Sequence, residues 1–160
     1  MAAVPGGSKR IQALHARLHG KATGEVQWEM NLFRTLLAGL AGDPMKMVLI
    51  VRSDLGLKKG KIASQCAHAA VLCSMRAIGG AGKAKLDAWL MQGQPKIVLR
   101  VDSLEEVRLL TERANDAGVI AEVVRDAGRT QVASGTETVL GIGPDRSTVI
   151  DPLVGHLRLL

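Results

Sequence analysis

An aspartate, two guanidinium groups and several hydroxyls are crowded into the short run from Arg125 to Thr138, between two apolar stretches that read as strands. Asp126 can hold a water and draw a proton from it. Thr130 and Thr138 carry hydroxyls able to position that water or to bind a carbonyl. Arg129 can pair with Asp126 or with a phosphate. An aspartate and an arginine this close also make an ordinary staple across a loop, and the residues alone leave both readings open. A polar loop held at a sheet edge is where a rigid scaffold usually presents chemistry.

A second group of charges lies earlier, in Leu57-Lys58-Lys59-Gly60-Lys61, after the first predicted strand and at the start of a helix. Free N–H groups and a partial positive charge at a helix N-terminus favour a phosphate or a developing oxyanion. The lysines add full charges, although a solvated basic turn would look the same. This is no Walker A loop, because the glycine spacing and the Ser/Thr after the lysine are missing. Along the helix Lys61, Gln65, His68 and Leu72 fall on one stripe by their spacings of four, three and four. Gln65 and His68 could line a site opened by the lysine turn, whereas Cys66, Ala69 and Cys73 point into the core. Buried small thiols are the reading for both cysteines. Neither a nucleophile elbow nor a His-Glu-x-x-His run occurs, and the cysteines show no zinc-site spacing. Metal-independent hydrolysis by an activated water and preorganised donors stays open.

The elements that must position these groups follow an α/β pattern. Met47 to Val51 is a continuous apolar run, as in a strand covered on both faces. Asp54 to Gly60 is a polar turn. A helix is predicted from Lys61 to about Ile78, ended by Gly79-Gly80. A shorter one runs from about Lys83 to Met91. Lys96 to Val101 is a strand, and Ser103 with Glu106 has the spacing of a capping box for the next helix. That helix ends at Gly118. Val119 to Val124 and Val139 to Ile142 are further strands, joined by a loop too short for a crossover helix, so an antiparallel pair is expected. Val149 to Leu160 reads as a short turn or helix with a docked tail. The expectation is one mixed sheet with helices on both faces.

Residues 1 to 44 differ from the rest. Lys9, Arg10, Arg17, Lys21 and Arg34 outnumber the acids, and Ile11, Leu14 and Leu18 share a helical face. Such a start suits an organelle-targeting segment, a mobile basic tail or a small packed helix, which leaves cytoplasm and mitochondrion both open. His15 and His19 are four apart, but no third metal ligand is in view, so a solvated face is expected. Asn31 to Gly42 is too short for a membrane span and carries Arg34.

The chain of 160 residues has a formal net charge of +6, which favours a polyanionic partner such as RNA. A basic protein without such a partner is the alternative. Aromatic residues make up 2%, so stacked aromatic platforms for single-stranded nucleic acid are not expected. The core must be built from aliphatic residues, alanine and methionine.

Taken in order, these segments resemble the archaeal and eukaryotic type of peptidyl-tRNA hydrolase. The resemblance covers about Met45 to Leu160. It rests on Lys46-Met47-Val48, Arg52-Ser53-Asp54, Lys59-Gly60-Lys61 with Gln65, His68-Ala69-Ala70, Trp89 and Gly93-Gln94-Pro95-Lys96. It continues through Asp126 to Gln131, Thr138 to Pro144 and Gly155-His156-Leu157. It implies a single domain after a basic extension at 1–44, with a four-stranded mixed sheet flanked by helices, often dimeric. It implies hydrolysis of the ester between peptide and tRNA, without metal or other cofactor, with tRNA as partner. Family positions proposed for catalysis match Lys59, Asp126, Thr130 and Thr138. Gln65, His68 and Arg129 match motif positions near them, and Lys58, Lys61, Arg125 and Arg129 are expected to neutralise tRNA phosphates. The chain departs from the family pattern at Leu57-Lys58, where Met-Gly is common, at Arg125, where Gln is usual, and at its Arg-Leu-Leu end. A non-catalytic RNA- or protein-docking module on the same fold is the competing function. A cysteine-dependent enzyme is a weaker third, for want of a Cys–His pair on a common face.

Overall fold

A computed structural model of the chain describes residues 42–129 and 131–160. The basic stretch with its Ile11, Leu14 and Leu18 face and its His15 and His19 lies outside the described residues, as does Thr130.

The unit from Asp43 onward holds five strands and four helices among the described residues. They are β1 (Met45–Arg52), α1 (Lys59–Ile78), α2 (Lys83–Met91), β2 (Lys96–Val101), α3 (Leu104–Asp116), β3 (Ala121–Arg125), β4 (Glu137–Arg146), α4 (Ser147–Val154) and β5 (Arg158–Leu159). The sheet order is β3-β4-β1-β2-β5. β1 pairs in parallel with β2 and antiparallel with β4, and β3 is antiparallel to β4, as the short loop between them required. The expected four strands become five. β5 is two exposed residues long, set opposite Leu99 and Arg100 of β2, and is too short to show any alternation in sequence.

β1 is central, and its period of two sorts its side chains between two cores. Met45, Met47, Leu49 and Val51 face Cys66, Ala69, Cys73 and Ala77 of α1 and Leu86 and Trp89 of α2. Val48 and Ile50 face Val107, Leu110 and Ala114 of α3 and Ile150 and Val154 of α4. Helices therefore cover both faces, and each fully buried aliphatic side chain contributes about 1.5–3 kcal/mol. Both cysteines are buried as expected, and burial, with Glu122 nearby, pushes the Cys73 thiol up to about 12.

The helix starts follow local chemistry. Ser103 caps α3 by accepting from the Glu106 N–H at 3.1 Å. The Glu106 carboxylate returns to the Ser103 hydroxyl and to the Asp102 N–H, so the box closes one residue further back than its usual form. α1 begins at Lys59, two residues before the predicted start, with Lys58 as an N-cap that makes no side-chain bond. Two elements matter for the site: α1, lying across β4 and β3, and the loop 126–136 that joins β3 to β4.

Candidate functional site

The loop 126–136 is closed at its base by backbone bonds. The Asp126 N–H donates to the Thr136 carbonyl at 2.9 Å, and the Gly135 N–H donates to the Asp126 carbonyl at 2.7 Å. Asp126 follows the last residue of β3, just past a shift in the β3–β4 register between Val124 and Arg125. Its side chain then bonds forward, with Oδ1 accepting the Gly128 N–H at 2.8 Å in an Asx turn. Gly128 has φ +76°, and an added Cβ would lie 2.7 Å from the Ser134 nitrogen. A side chain there would force the turn open.

The other carboxylate oxygen turns toward α1. Asp126 Oδ2 accepts from the Lys61 ammonium and from Gln65 Nε2, the latter at 2.6 Å. The Asp126 side chain is 3% exposed and that of Lys61 16%. The Lys61 ammonium is the chief reason the carboxyl titrates below the usual aspartate range; the Gly128 N–H and the Gln65 amide act the same way, and burial opposes them. Asp126 is therefore ionised at neutral pH. Gln65 is itself held: its Oε1 accepts from the Thr138 hydroxyl at 3.1 Å, which fixes which end of the amide meets Asp126. Thr138 is fully buried on β4, and its hydroxyl also lies 3.2 Å from the Val124 carbonyl. Among the described residues every buried side-chain polar atom has a partner.

Lys61, Gln65 and Asp126 line one open cleft of about 530 Å³. Lys61, Gln65 and His68 form its α1 wall with Val71 and Leu72, and Arg125, Asp126 and Arg129 form the facing wall. The stripe Lys61–Gln65–His68–Leu72 read from helical spacing is that wall. The lysine turn also touches the loop directly, since the Lys58 N–H donates to Gln131 Oε1 at 3.1 Å.

Not every expected residue sits as anticipated. Lys61 was expected to meet phosphate, but its ammonium is committed to Asp126. Lys59 was expected to act on the ester, but it is exposed at the first position of α1 and is not among the cleft-lining residues. The helix phase explains the exchange, because Lys61 and not Lys59 shares a face with Gln65 and His68. Thr138 was expected to handle water, but its hydroxyl faces Gln65 and a carbonyl inside the protein. Arg125 is exposed and pairs with Glu137 at 3.0 Å. Arg129 is exposed on the cleft and joins no ion pair among the described residues, so it does not staple Asp126. Sequence reasoning missed Gly128, although Asp-x-Gly is an Asx-turn signal. It also missed Ser64 and Val71, which line the cleft one helical turn to either side of His68.

A second concavity, of about 600 Å³, lies at the other end of α1. Its buried carboxylate, Asp145, is taken up by Lys85 and by the Arg146 N–H, and it reads as structural. Among the described residues no group of three or more His, Cys, Asp or Glu is placed to hold a metal ion. Nor is any helix there long and apolar enough to cross a membrane.

Residues 45–160 match the family model described as "Peptidyl-tRNA hydrolase PTH2". The chain is 48% identical over 120 residues to a "Probable peptidyl-tRNA hydrolase 2" of Schizosaccharomyces pombe, covering 75% of this chain and 58% of that protein. It is 45% identical over 119 residues to a "Peptidyl-tRNA hydrolase" of Saccharolobus islandicus, covering 72% of this chain and 99% of the relative. A protein of the same name from Thermoplasma volcanium is 43% identical over 116 residues, covering 98% of its length.

Proposed function

The chain belongs to the peptidyl-tRNA hydrolase PTH2 family, and from that premise we propose that the Asp126 cleft is where it hydrolyses the ester joining a peptide to tRNA, without a metal. One observation carries this reading. An ionised, almost fully buried carboxylate meets a lysine and a held amide at the floor of an open cleft with arginines on its far wall.

The chemistry needs a water oriented on the ester carbonyl and a donor for the oxyanion. Asp126 orients the water. As the new O–C bond forms, the water yields a proton to Asp126, and the carbonyl oxygen takes up negative charge toward the Lys61 ammonium. The tetrahedral intermediate then breaks the bond to the ribose oxygen, which leaves with the proton from Asp126. The products are a peptide acid and tRNA. A carboxylate held at low basicity is a weak base, so most of its effect lies in aiming the water. Gln65 holds the Asp126 oxygen, and Thr138 is a positioning residue that acts through Gln65. Lys58, Lys59, Arg125 and Arg129 meet the tRNA backbone, which sets position without reading sequence. Residues before Met45 lie outside the family match and take no part in this reading.

The test is release of an N-acetylated amino acid from tRNA in the presence of EDTA. Asp126→Asn is expected to lower kcat/KM about 10²–10⁴-fold with folding intact by circular dichroism. Full activity in that variant would remove Asp126 from the mechanism, and loss of the parent's activity in EDTA would remove the metal-free reading.

A further inference from the structure

The reaction places two unlike halves of one substrate at the same carboxylate, and the protein offers two unlike surfaces there. Toward the N-terminus of α1 lie Lys58 and Lys59, both exposed, with Arg129 across the cleft. Toward the C-terminus, α1 turns large apolar side chains outward, with one exposed charge among them, Arg76, set 3.7 Å from Glu122 of β3. Val71 is 55% exposed, Leu72 39%, Met75 64% and Ile78 62%. Val71, Met75 and Ile78 repeat at four and three, so they form one ridge, and Leu72 lies beside it on the Gln65 stripe. The ridge is continuous with the site, because Val71 and Leu72 themselves line the Asp126 cleft. Four exposed large apolar residues on one helix face call for an explanation that scattered surface leucines do not.

We propose that this ridge of α1 holds the peptide half of the substrate. The proposal rests on the reading of the cleft as the site of ester hydrolysis. With the ester carbonyl at Asp126, polyanionic tRNA extends toward the lysines and Arg129, which leaves the peptide the opposite direction along α1. From Gln65 to Ile78 the helix rises roughly 20 Å, at about 1.5 Å per residue. That length matches about six residues of extended peptide. The surface suits a ligand whose sequence varies. Apolar contact is non-directional, and a methionine at its centre adapts its shape. The ridge therefore favours peptides with apolar side chains near the ester and demands no particular residue.

The test compares two substrates in the full chain: N-acetyl-alanyl-tRNA, too short to reach Met75, and an N-acetylated hexapeptidyl-tRNA rich in leucine and valine. The variant Met75→Gln/Ile78→Gln keeps good helix formers and leaves the net charge toward tRNA unchanged. KM for the hexapeptidyl substrate is expected to rise about five- to tenfold, because the peptide then buries less apolar surface. The acetyl-alanyl substrate should change less than about twofold, and Met75→Leu/Ile78→Leu should restore the hexapeptidyl KM. Equal effects on both substrates, or none on either, would overturn the proposal. So would a parent dimer, seen by light scattering, that the Gln variant dissolves, since the ridge would then be an interface between copies. Failure of the parent on both substrates would instead overturn the reading of the cleft itself.

Discussion

Asp126 accepts three donors, and their order of effect sets how it titrates. Lys61 lowers its pKa most, then the Gly128 N–H, with Gln65 adding to both and burial working against them. Because the folded value lies below the unfolded one, of about 3.9, the pair stabilises the fold above that unfolded value. The contribution is lost only as pH falls through the lower folded value. The kcat/KM profile should therefore show no acid limb from Asp126 at or above the ordinary aspartate value of about 3.9. An acid limb near neutrality would assign the titration to another group. Lys61→Met removes the largest lowering cause and leaves burial in place. The Asp126 carboxyl should then titrate higher than in the parent, as followed by the NMR shift of its carboxyl carbon. A carboxyl unmoved by this change would mean that Lys61 does not set its state. Thr138→Val tests the next link outward. It removes the donor to Gln65 Oε1 at a fully buried position, so stability should fall by about 1–2 kcal/mol in urea titrations. If Thr138 acts only by holding Gln65, kcat should drop with KM unchanged.

α1 brings six residues to the cleft, Lys61 and Gln65 among them, and must lie at a fixed height over the sheet. Gly141 of β4 sets that height. A Cβ there would lie 2.7 Å from Cys73 Sγ and 3.3 Å from the Ala69 Cβ, both on α1. Gly141→Ala should therefore lift the helix and cost about 1–3 kcal/mol, with a loss of activity because Lys61 and Gln65 move with it. Adding Cys73→Ala removes the nearest atom, and the double variant should recover part of both losses. Strict additivity of the two changes would refute the close approach. That approach was not legible in sequence, since a glycine in a strand announces a bulge or a neighbour without saying which. The apolar runs did announce β1 and β2, and the helical spacing announced the cleft wall, because each depends on local periodicity alone. What periodicity cannot carry is which group of another element a stripe will meet. The run Lys58-Lys59-Gly60-Lys61 has three candidate cations, and only the folded helix shows that Lys61 meets Asp126. The two-residue β5 failed for a related reason, being defined by its partner strand and not by its own pattern.

At the scale of the whole molecule the net charge of +6 sets how the protein meets tRNA. Binding through phosphate contacts releases counterions, so kcat/KM at low substrate should fall linearly with salt on logarithmic axes. Each contact adds roughly 0.7–0.9 to the slope. Arg129→Ala should flatten the slope by about that amount, because its guanidinium is exposed on the cleft and joins no ion pair among the described residues. Arg113→Ala, exposed on α3 across the sheet, should leave it unchanged. The same measurement decides what Lys59 does. A lysine on tRNA phosphate, once changed to alanine, should raise KM and flatten the slope while kcat holds. A lysine on the oxyanion should instead lower kcat about 10²-fold or more with the slope intact. Its place outside the cleft wall favours the first outcome, and the second would mean that α1 turns or shifts by part of a helical turn when substrate binds.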